Sequence, residues 1–198
     1  KEELSELPII TVPTTAGTGS EVTCWATVWN TATGKKYSLS RPALYPEAAL
    51  VDPGLMIEKS RALTLSTGLD ALSHALESIW NLNANPVTAS LAVGAARRCL
   101  ATLPRLMQSL DNIELRSDMA AAALQAGLAF SNTKTAIAHN LSYPITLRAG
   151  VPHGIACSFT LPAVLRSVVH IDGFRGNALR EIFGDDLDRG AESLATIM

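Results

Sequence analysis

Two patterns of apolar and polar positions divide this chain. Up to about residue 54, short apolar stretches rich in Val, Thr and Trp alternate with polar turns, which is typical of strands. From about residue 60 onward the pattern is almost exclusively that of helices. We therefore place a boundary near residues 54–60. The first part predicts strands at 8–13, 22–29 and 48–54, with 36–39 pairing back on 22–29 as a hairpin.

Capping residues and prolines predict where the helices begin and end. The first long helix is expected to begin at Ser66 or Thr67, either of which could cap it, and to end near Trp80. Asn85 followed by Pro86 predicts the start of the second helix, which should run to about residue 109 with a bend at Pro104. A third helix is predicted over 113–131. A fourth should carry His139 and Pro144, and a fifth should carry His153 and end near His170.

Composition and charge exclude several function classes. The chain has 198 residues, of which 47% are hydrophobic and 17% charged, as expected for a folded globular protein. Lys and Arg number 16 against 18 Asp and Glu, giving a net charge of −2 without blocks of one sign. This distribution argues against nucleic-acid or membrane partners. Cys24, Cys99 and Cys157 are scattered, so we expect reduced thiols in a cytoplasmic protein.

At both ends of the chain, the sequence pattern is that of a helix that is cut short. Lys1 stands in what reads as the end of a helix, directly before a predicted strand, and Met198 falls inside an apparently helical stretch. Neither pattern is typical of a domain edge. We expect the chain to be an internal fragment of a longer protein.

The first predicted helix carries half of a candidate metal site. Asp70 and His74 are four residues apart, so a helix would point both into one space. His139 and His153 would complete a set of one carboxylate and three imidazoles, which suits iron, zinc, cobalt or nickel. Taken singly, each of these residues is also typical of an ordinary structural position. Asp70 and His74 suit a pair on a helix surface, His139 a core histidine, and His153 a polar residue in the first turn of a helix.

A stretch of small and hydroxyl residues follows the first predicted strand. Its sequence from Thr14 to Glu21 is Thr-Thr-Ala-Gly-Thr-Gly-Ser-Glu. Small residues let a ligand approach the backbone, and hydroxyl and amide groups can bind phosphate or ribose oxygens. Taken alone, the stretch is more often an ordinary hydroxyl-rich turn.

Four motifs together resemble the iron-containing (group III) alcohol dehydrogenases. They occur in the order found in that family and cover most of the chain from about residue 8 to 170. The first resembles the nucleotide-side motif of the family, and the others resemble its metal motifs. They are residues 13–23, residues 68–77, residues 129–132 followed by His139, and residues 151–154.

The resemblance implies an α/β part followed by an all-α metal-binding domain, in a dehydroquinate synthase-like architecture. Residues 1–57 would be the C-terminal part of a Rossmann-like nucleotide-binding domain, and residues 58–198 an incomplete helical domain. The implied activity is that of a metal-dependent, NAD(P)-linked alcohol dehydrogenase or aldehyde reductase. Its cofactors would be Fe2+ or Zn2+ and NAD or NADP, and its substrate a small alcohol or aldehyde. A homodimer is compatible with the sequence, which does not itself determine the oligomeric state.

The resemblance also assigns roles to individual residues. It implies that the metal is held by Asp70, His74, His139 and His153. It further implies that the nicotinamide cofactor lies along Thr14, Thr15, Gly17 and Thr18.

Three residues depart from the pattern of the family. Tyr143 stands where a second histidine usually follows the third metal ligand, which makes it the candidate proton relay. Lys134 and Arg148 stand where small or apolar residues are commoner, and cations near a metal would suit an anionic carbonyl compound. Residues 21–29 and 139–144 most resemble the subgroup linked to phosphonate metabolism, which implies phosphonoacetaldehyde as substrate. The alternative is that both cations are solvated surface charges.

Two other functions are compatible with the same residues. One is a zinc enzyme of the same fold, similar to glycerol dehydrogenase or dehydroquinate synthase. The other is a metal-stabilised helical fragment without catalysis.

Overall fold

Strand pairs form the first part of the chain. A computed structural model describes residues 7–30 and 32–197. Strand β1 (Ile10–Thr11) pairs in parallel with β4 (Ala48–Ala49), and β2 (Trp25–Asn30) forms an antiparallel hairpin with β3 (Lys35–Ser40). All four predicted strands are present, although β1 and β4 are much shorter than expected. A Rossmann-like domain over this part stays a prediction.

Helices make up the rest of the described chain, in agreement with the predicted all-α part. Their bounds are α1 (Arg61–Trp80), α2 (Pro86–Leu106), α3 (Ile113–Thr133), α4 (Ile137–Ala149), α5 (His153–Ser158), α6 (Leu161–Ser167), α7 (Gly173–Phe183) and α8 (Leu187–Ile197).

Helix α1 is the centre of the helical part. Every residue from 68 to 80 is buried, so the helix is enclosed on all sides rather than on one face. It packs against α2 and α3 along one side and against α5 and α4 along another. Gly68 permits the first of these contacts, since a Cβ there would lie 2.6 Å from the Leu103 side chain.

The predicted start of α1 was wrong by about one and a half turns. The helix begins at Arg61, and its cap is Ser60, whose hydroxyl accepts a hydrogen bond from the Leu63 amide. Ser66 and Thr67 lie inside the helix, where the Thr67 hydroxyl donates back to the Leu63 carbonyl. The predicted end near Trp80 is confirmed.

The predicted fifth helix is two helices. Helix α5 ends at Ser158, and α6 begins at Leu161 with Pro162 in its first turn. His170 is exposed and lies beyond α6. The predicted cap of α2 is confirmed, because the Asn85 side chain accepts the amides of Val87 and Thr88.

A buried arginine connects the segment before α1 to α3. Arg116 donates to the carbonyl groups of Ile57, Lys59 and Leu110 and to the hydroxyl of Thr64. Four partners compensate for removing the guanidinium group from water. The contact fixes where α1 begins relative to α3.

The described helices include no candidate for a membrane-spanning segment. None of them combines the length and the apolar composition that a bilayer span requires.

Candidate metal centre

One carboxylate oxygen lies at the centre of a cluster of imidazoles. Oδ1 of Asp70 is 3.5 Å from Nε2 of His139, 3.9 Å from Nε2 of His74 and 4.0 Å from Nε2 of His153. Asp70 and His74 come from α1, His139 from α4 and His153 from α5. The structure therefore brings together the four predicted metal ligands. That they bind a metal stays a prediction.

Glu77 sets the orientation of the His139 ring. Its Oε2 lies 2.6 Å from Nδ1 of His139, and Glu77 is fully buried. The same carboxylate accepts the backbone amides of Ala136 at 2.8 Å and Ala138 at 2.6 Å, at the start of α4. With Nδ1 held by a carboxylate, Nε2 is left to face Asp70, the arrangement typical of metal-binding histidines.

Ser142 orients the ring of His153 in a similar way. The Ser142 hydroxyl donates to the His139 carbonyl at 2.7 Å, so it is available as an acceptor for Nδ1 of His153, 3.4 Å away. Nε2 of His153 then faces Asp70. Two of the three imidazoles are thus oriented by a hydrogen bond on the opposite side of the ring.

Ring stacking holds His74 in place. Its ring is nearly parallel to Phe130, with centroids 4.0 Å apart, and to His139, with centroids 4.5 Å apart. Among the described residues, Nδ1 of His74 has no hydrogen-bond partner although it is buried. His74 is therefore positioned mainly by its helix and by apolar contact.

The donor atoms at this centre fit a divalent cation. Oδ1 of Asp70 and Nε2 of His139 are buried, and neither makes a hydrogen bond to a described residue. Buried polar atoms without partners are costly, and a metal ion would satisfy both. An anionic oxygen surrounded by imidazole nitrogens is a common donor set for first-row metals.

Electrostatics at the site favour an ionised Asp70. Burial alone would raise its pKa, but His74, His139 and His153 together hold it well below the usual range. Burial lowers the pKa of His74 to about 4, so this ring is neutral at pH 7. Burial also opposes protonation of His139, yet the neighbouring Asp70, Cys157 and Glu77 side chains raise its pKa well above the usual value.

Cys157 is a fifth potential donor that the sequence interpretation missed. Ligand atoms of Asp70, His139, His153 and Cys157 all lie within 4.8 Å of one another. Cys157 is fully buried and follows His153 by one helical turn. The sequence could have indicated Cys157, because it follows the predicted ligand His153 by four residues, just as His74 follows Asp70. Helix periodicity could likewise have indicated Glu77, which lies on the same face of α1 as Asp70 and His74.

A glycine allows α5 to reach α1. A Cβ on Gly154 would overlap the backbone carbonyl oxygen of Ser66 and lie 3.0 Å from Cβ of Asp70. The two helices can therefore touch backbone to backbone directly beside His153. Without that contact, the imidazole of His153 would stand further from Asp70.

The cluster opens into a cleft of about 750 Å³. The β2–β3 hairpin forms one wall with Trp25, Thr27, Lys36 and Ser38, and the helices form the other. Asp70 is the only carboxylate among the described lining residues. The rest of the lining comprises Thr18, Ser20, Thr23, Ala26, Ser40, His74, Phe130, Lys134, Thr135, His139, Tyr143 and His153.

The predicted relay and substrate residues differ in their positions. The Tyr143 ring is nearly parallel to His153, with centroids 6.2 Å apart, and Nζ of Lys36 lies 3.6 Å from the Tyr143 ring centre. Lys134 lines the cleft, where its backbone has a φ of 70° at the end of α3. Arg148 is in the last turn of α4, outside the cleft lining.

Of the four predicted cofactor residues, Thr18 is the one that lines the cleft. Its hydroxyl is 3.2 Å from that of Ser20. Thr14 is exposed and Thr15 is half-buried. Gly17 is buried against α1, where a Cβ would lie 2.8 Å from Cβ of Thr67. Their contact with a nicotinamide cofactor stays a prediction.

Two models of one protein family and several known proteins match this chain. The model of the C-terminal part of the Fe-containing alcohol dehydrogenase family matches residues 64–195, and the iron-containing alcohol dehydrogenase model matches residues 1–53. The 1,3-propanediol dehydrogenase of Klebsiella pneumoniae is 35% identical over 196 residues, which cover 96% of this chain and 51% of that protein. The phosphonoacetaldehyde reductase of Streptomyces viridochromogenes is 36% identical over 159 residues, covering 80% and 40%.

A solved structure has the same fold. The sulfoacetaldehyde reductase of Bifidobacterium kashiwanohense in complex with NAD+ is 39% identical, with a TM-score of 0.90. The match covers 96% of this chain and 51% of the other. The chain thus spans about half the length of the relatives it matches.

Proposed function

The chain belongs to the iron-containing alcohol dehydrogenase family, and we propose that it supplies the metal centre of an NAD(P)-linked alcohol dehydrogenase or aldehyde reductase. The observation that carries this proposal is the Asp70 carboxylate oxygen within 4.0 Å of three imidazole nitrogens. Fe2+ is the proposed metal and Zn2+ its substitute, held by Asp70, His74, His139 and His153. When bound, the metal would act as a Lewis acid on the substrate oxygen during hydride transfer with the nicotinamide.

The residues around the centre perform the supporting tasks. Glu77 and Ser142 orient the rings of His139 and His153. Phe130 covers the face of His74 and excludes water from that side. Tyr143 lines the cleft beside His153, which suits a role in moving a proton between substrate and solvent. Thr14, Thr15, Gly17 and Thr18 are the proposed contacts of the cofactor.

The cleft favours an aldehyde that carries an anionic group. Lys36 and Lys134 contribute two cations, and the hydroxyls of Thr23, Thr27 and Ser38 can donate hydrogen bonds to anionic oxygens. A phosphonate or a sulfonate would suit this wall, and relatives carry the names of phosphonoacetaldehyde and sulfoacetaldehyde reductases. We assign phosphonoacetaldehyde as the first substrate to test. The sequence suggested Arg148 as a cation for the anionic group; we now propose Lys36 for this role, because it lines the cleft and Arg148 does not.

Metal content is the first measurement of this function. The protein should contain about one iron or zinc per chain, and the Asp70→Ala, His139→Ala double variant should contain almost none. The matched control is an Asp188→Ala, His170→Ala double variant, since both residues are exposed and lie outside α1, α4 and α5. The control should retain its metal. A folded wild-type protein without affinity for iron or zinc would overturn the proposal.

Cofactor binding then separates an enzyme from a metal-stabilised helical fragment. A catalytic protein should change NADH or NADPH fluorescence in a saturable way and oxidise the reduced cofactor when phosphonoacetaldehyde is added. A metal-loaded protein that does neither would contradict the dehydrogenase proposal while leaving the metal centre intact.

A further inference from the structure

We propose that Cys157 is a ligand of the metal in this protein, so that the centre includes a sulfur donor beside its oxygen and nitrogen donors. The inference rests on the proposed metal centre and adds a ligand to it. It concerns a residue that the four sequence motifs did not assign.

The position of the sulfur matches that of a ligand. Sγ of Cys157 lies 3.6 Å from Nε2 of His153 and 3.7 Å from Nδ1 of the same ring. Sulfur and nitrogen donors of one zinc ion, with Zn–S of about 2.3 Å and Zn–N of about 2.0 Å, lie at most about 4.3 Å apart. Oxygen and nitrogen donors of one zinc ion, at about 2.1 Å and about 2.0 Å, lie at most about 4.1 Å apart. Oδ1 of Asp70 and Nε2 of His139 are 3.5 Å apart.

The four donors surround a common space. Asp70, His139, His153 and Cys157 offer one atom each, and all four atoms lie within 4.8 Å of one another. Two of these atoms, Oδ1 of Asp70 and Nε2 of His139, are buried and make no hydrogen bond to a described residue. Both residues are at least nine-tenths buried, so the space between the four donors is lined by polar atoms that need a partner.

Helix geometry explains why the sulfur is there. His153 and Cys157 are four residues apart on α5, just as Asp70 and His74 are on α1. The close contact at Gly154 brings the two pairs face to face. The other cysteines lie elsewhere: Cys99 is in the apolar core between the helices, and Cys24 precedes the hairpin.

A sulfur ligand would change which metals the centre prefers. Thiolate is a soft donor that favours zinc and cobalt over harder cations, whereas a set of one carboxylate and three imidazoles discriminates less. Removing the sulfur should therefore lower zinc affinity more than iron affinity. We expect Cys157→Ser to lower zinc affinity by at least about tenfold, the smallest loss usual when a group that only orients a ligand is changed, and to lower iron affinity by less.

Cobalt is the probe that tests the inference. Cobalt-loaded protein should show visible d–d absorption from the centre and, in addition, near-ultraviolet charge-transfer absorption from sulfur to cobalt. Cys157→Ser should lose the charge-transfer band and keep the visible bands. Cys99→Ser is the matched control, since it also replaces a buried thiol, and it should keep both.

The possible outcomes separate this inference from the proposed function. Visible bands without the charge-transfer band in the wild-type protein would overturn sulfur ligation and leave the metal centre standing. Absence of both would overturn the metal centre and the inference with it. If Cys157→Ser does not fold, X-ray absorption of the zinc-loaded wild-type protein decides, because a sulfur neighbour at about 2.3 Å is expected. A shell of nitrogen and oxygen only would refute the inference.

Discussion

Glu77 and His139 form a short, buried link between α1 and the start of α4, with Oε2 and Nδ1 2.6 Å apart. The same carboxylate accepts three backbone amides, those of Ala136, Ala138 and His139, which helix α4 leaves without partners at its start. One buried side chain thus begins a helix and orients a proposed metal ligand on it. These hydrogen bonds also keep the pKa of Glu77 low although burial opposes ionisation.

We expect Glu77→Gln to weaken metal binding without removing any ligand. The amide has one acceptor oxygen in place of two and no charge, so it cannot serve both His139 and the start of α4. Metal affinity should fall by about 10–100-fold, as is usual when the partner of a metal-binding histidine is changed. Competition with a chelator measures this, and Glu192→Gln, an exposed change on α8, should leave the affinity unaltered. An unchanged affinity in Glu77→Gln would show that His139 is oriented by other contacts.

Gly154→Ala tests the contact between α1 and α5. The added methyl group would overlap the Ser66 carbonyl oxygen and press on Asp70, so α5 must move away. We expect a loss of stability of about 2 kcal/mol or more, as for other overpacked positions, together with weaker metal binding. Urea unfolding and metal titration measure the two effects.

Gly94→Ala is the control for that substitution. Gly94 lies inside α2, where a Cβ would make only an ordinary contact of 3.4 Å with Gln125. Replacing a helical glycine by alanine should then be neutral or stabilising by up to about 1 kcal/mol. If both variants lose the same stability, crowding at α5 is not the cause.

Lys134 provides a test of substrate charge. We expect Lys134→Gln to raise KM for phosphonoacetaldehyde roughly tenfold, because one charged hydrogen bond to the anionic group is lost. KM for an uncharged aldehyde of the same length should change little. Arg148→Gln is the matched control, since Arg148 lies outside the cleft lining and its loss should affect neither substrate. An equal rise of KM for both aldehydes would mean that Lys134 has a structural role.

Glu21 makes stability depend on pH in a defined direction. Burial raises the pKa of this carboxyl group, which is 5% exposed. A carboxyl group with a higher pKa in the folded state binds its proton more tightly there. Its stabilising contribution is complete below about pH 4 and is lost as the pH rises through the folded pKa. Glu21→Gln cannot ionise, so it should be more stable than the wild type at pH 8 and equal to it near pH 4.

Urea unfolding across this pH range measures the difference. Glu47→Gln, at an exposed position after the hairpin, should follow the wild-type curve at every pH. A Glu21→Gln variant that is less stable than the wild type at pH 8 would contradict the assigned direction.

Local patterns in the sequence predicted the parts of the site that a single helix determines. Asp70 and His74 needed only the period of the α-helix, and the cap at Asn85 needed only the residue types around it. The predicted start of α1 was wrong because Ser60, Ser66 and Thr67 are all residue types that can cap a helix. Only the structure reveals that the Thr67 hydroxyl bonds back within the helix.

Local sequence patterns did not predict the contacts between segments that are distant along the chain. Lys36 reaches the cleft from a hairpin far from the histidines in sequence. Arg148 follows His139 by nine residues, which places it about 13 Å further along the same helix. Proximity in sequence therefore suggested a cation that lies outside the cleft lining. That the four metal residues meet at all was inferred from the family resemblance, since no spacing rule joins residues so far apart.

The donors gathered around Asp70 also concern the folding of the chain. Three segments that are distant in sequence, in α1, α4 and α5, supply them. An ion bound by all three would close long loops and act as a cross-link that exists only in the native state. Its binding energy would add to the free energy of unfolding. The amides of α4 and α5 should then exchange with solvent more slowly when metal is bound, because the ion would tie both helices to α1 in addition to their packing contacts.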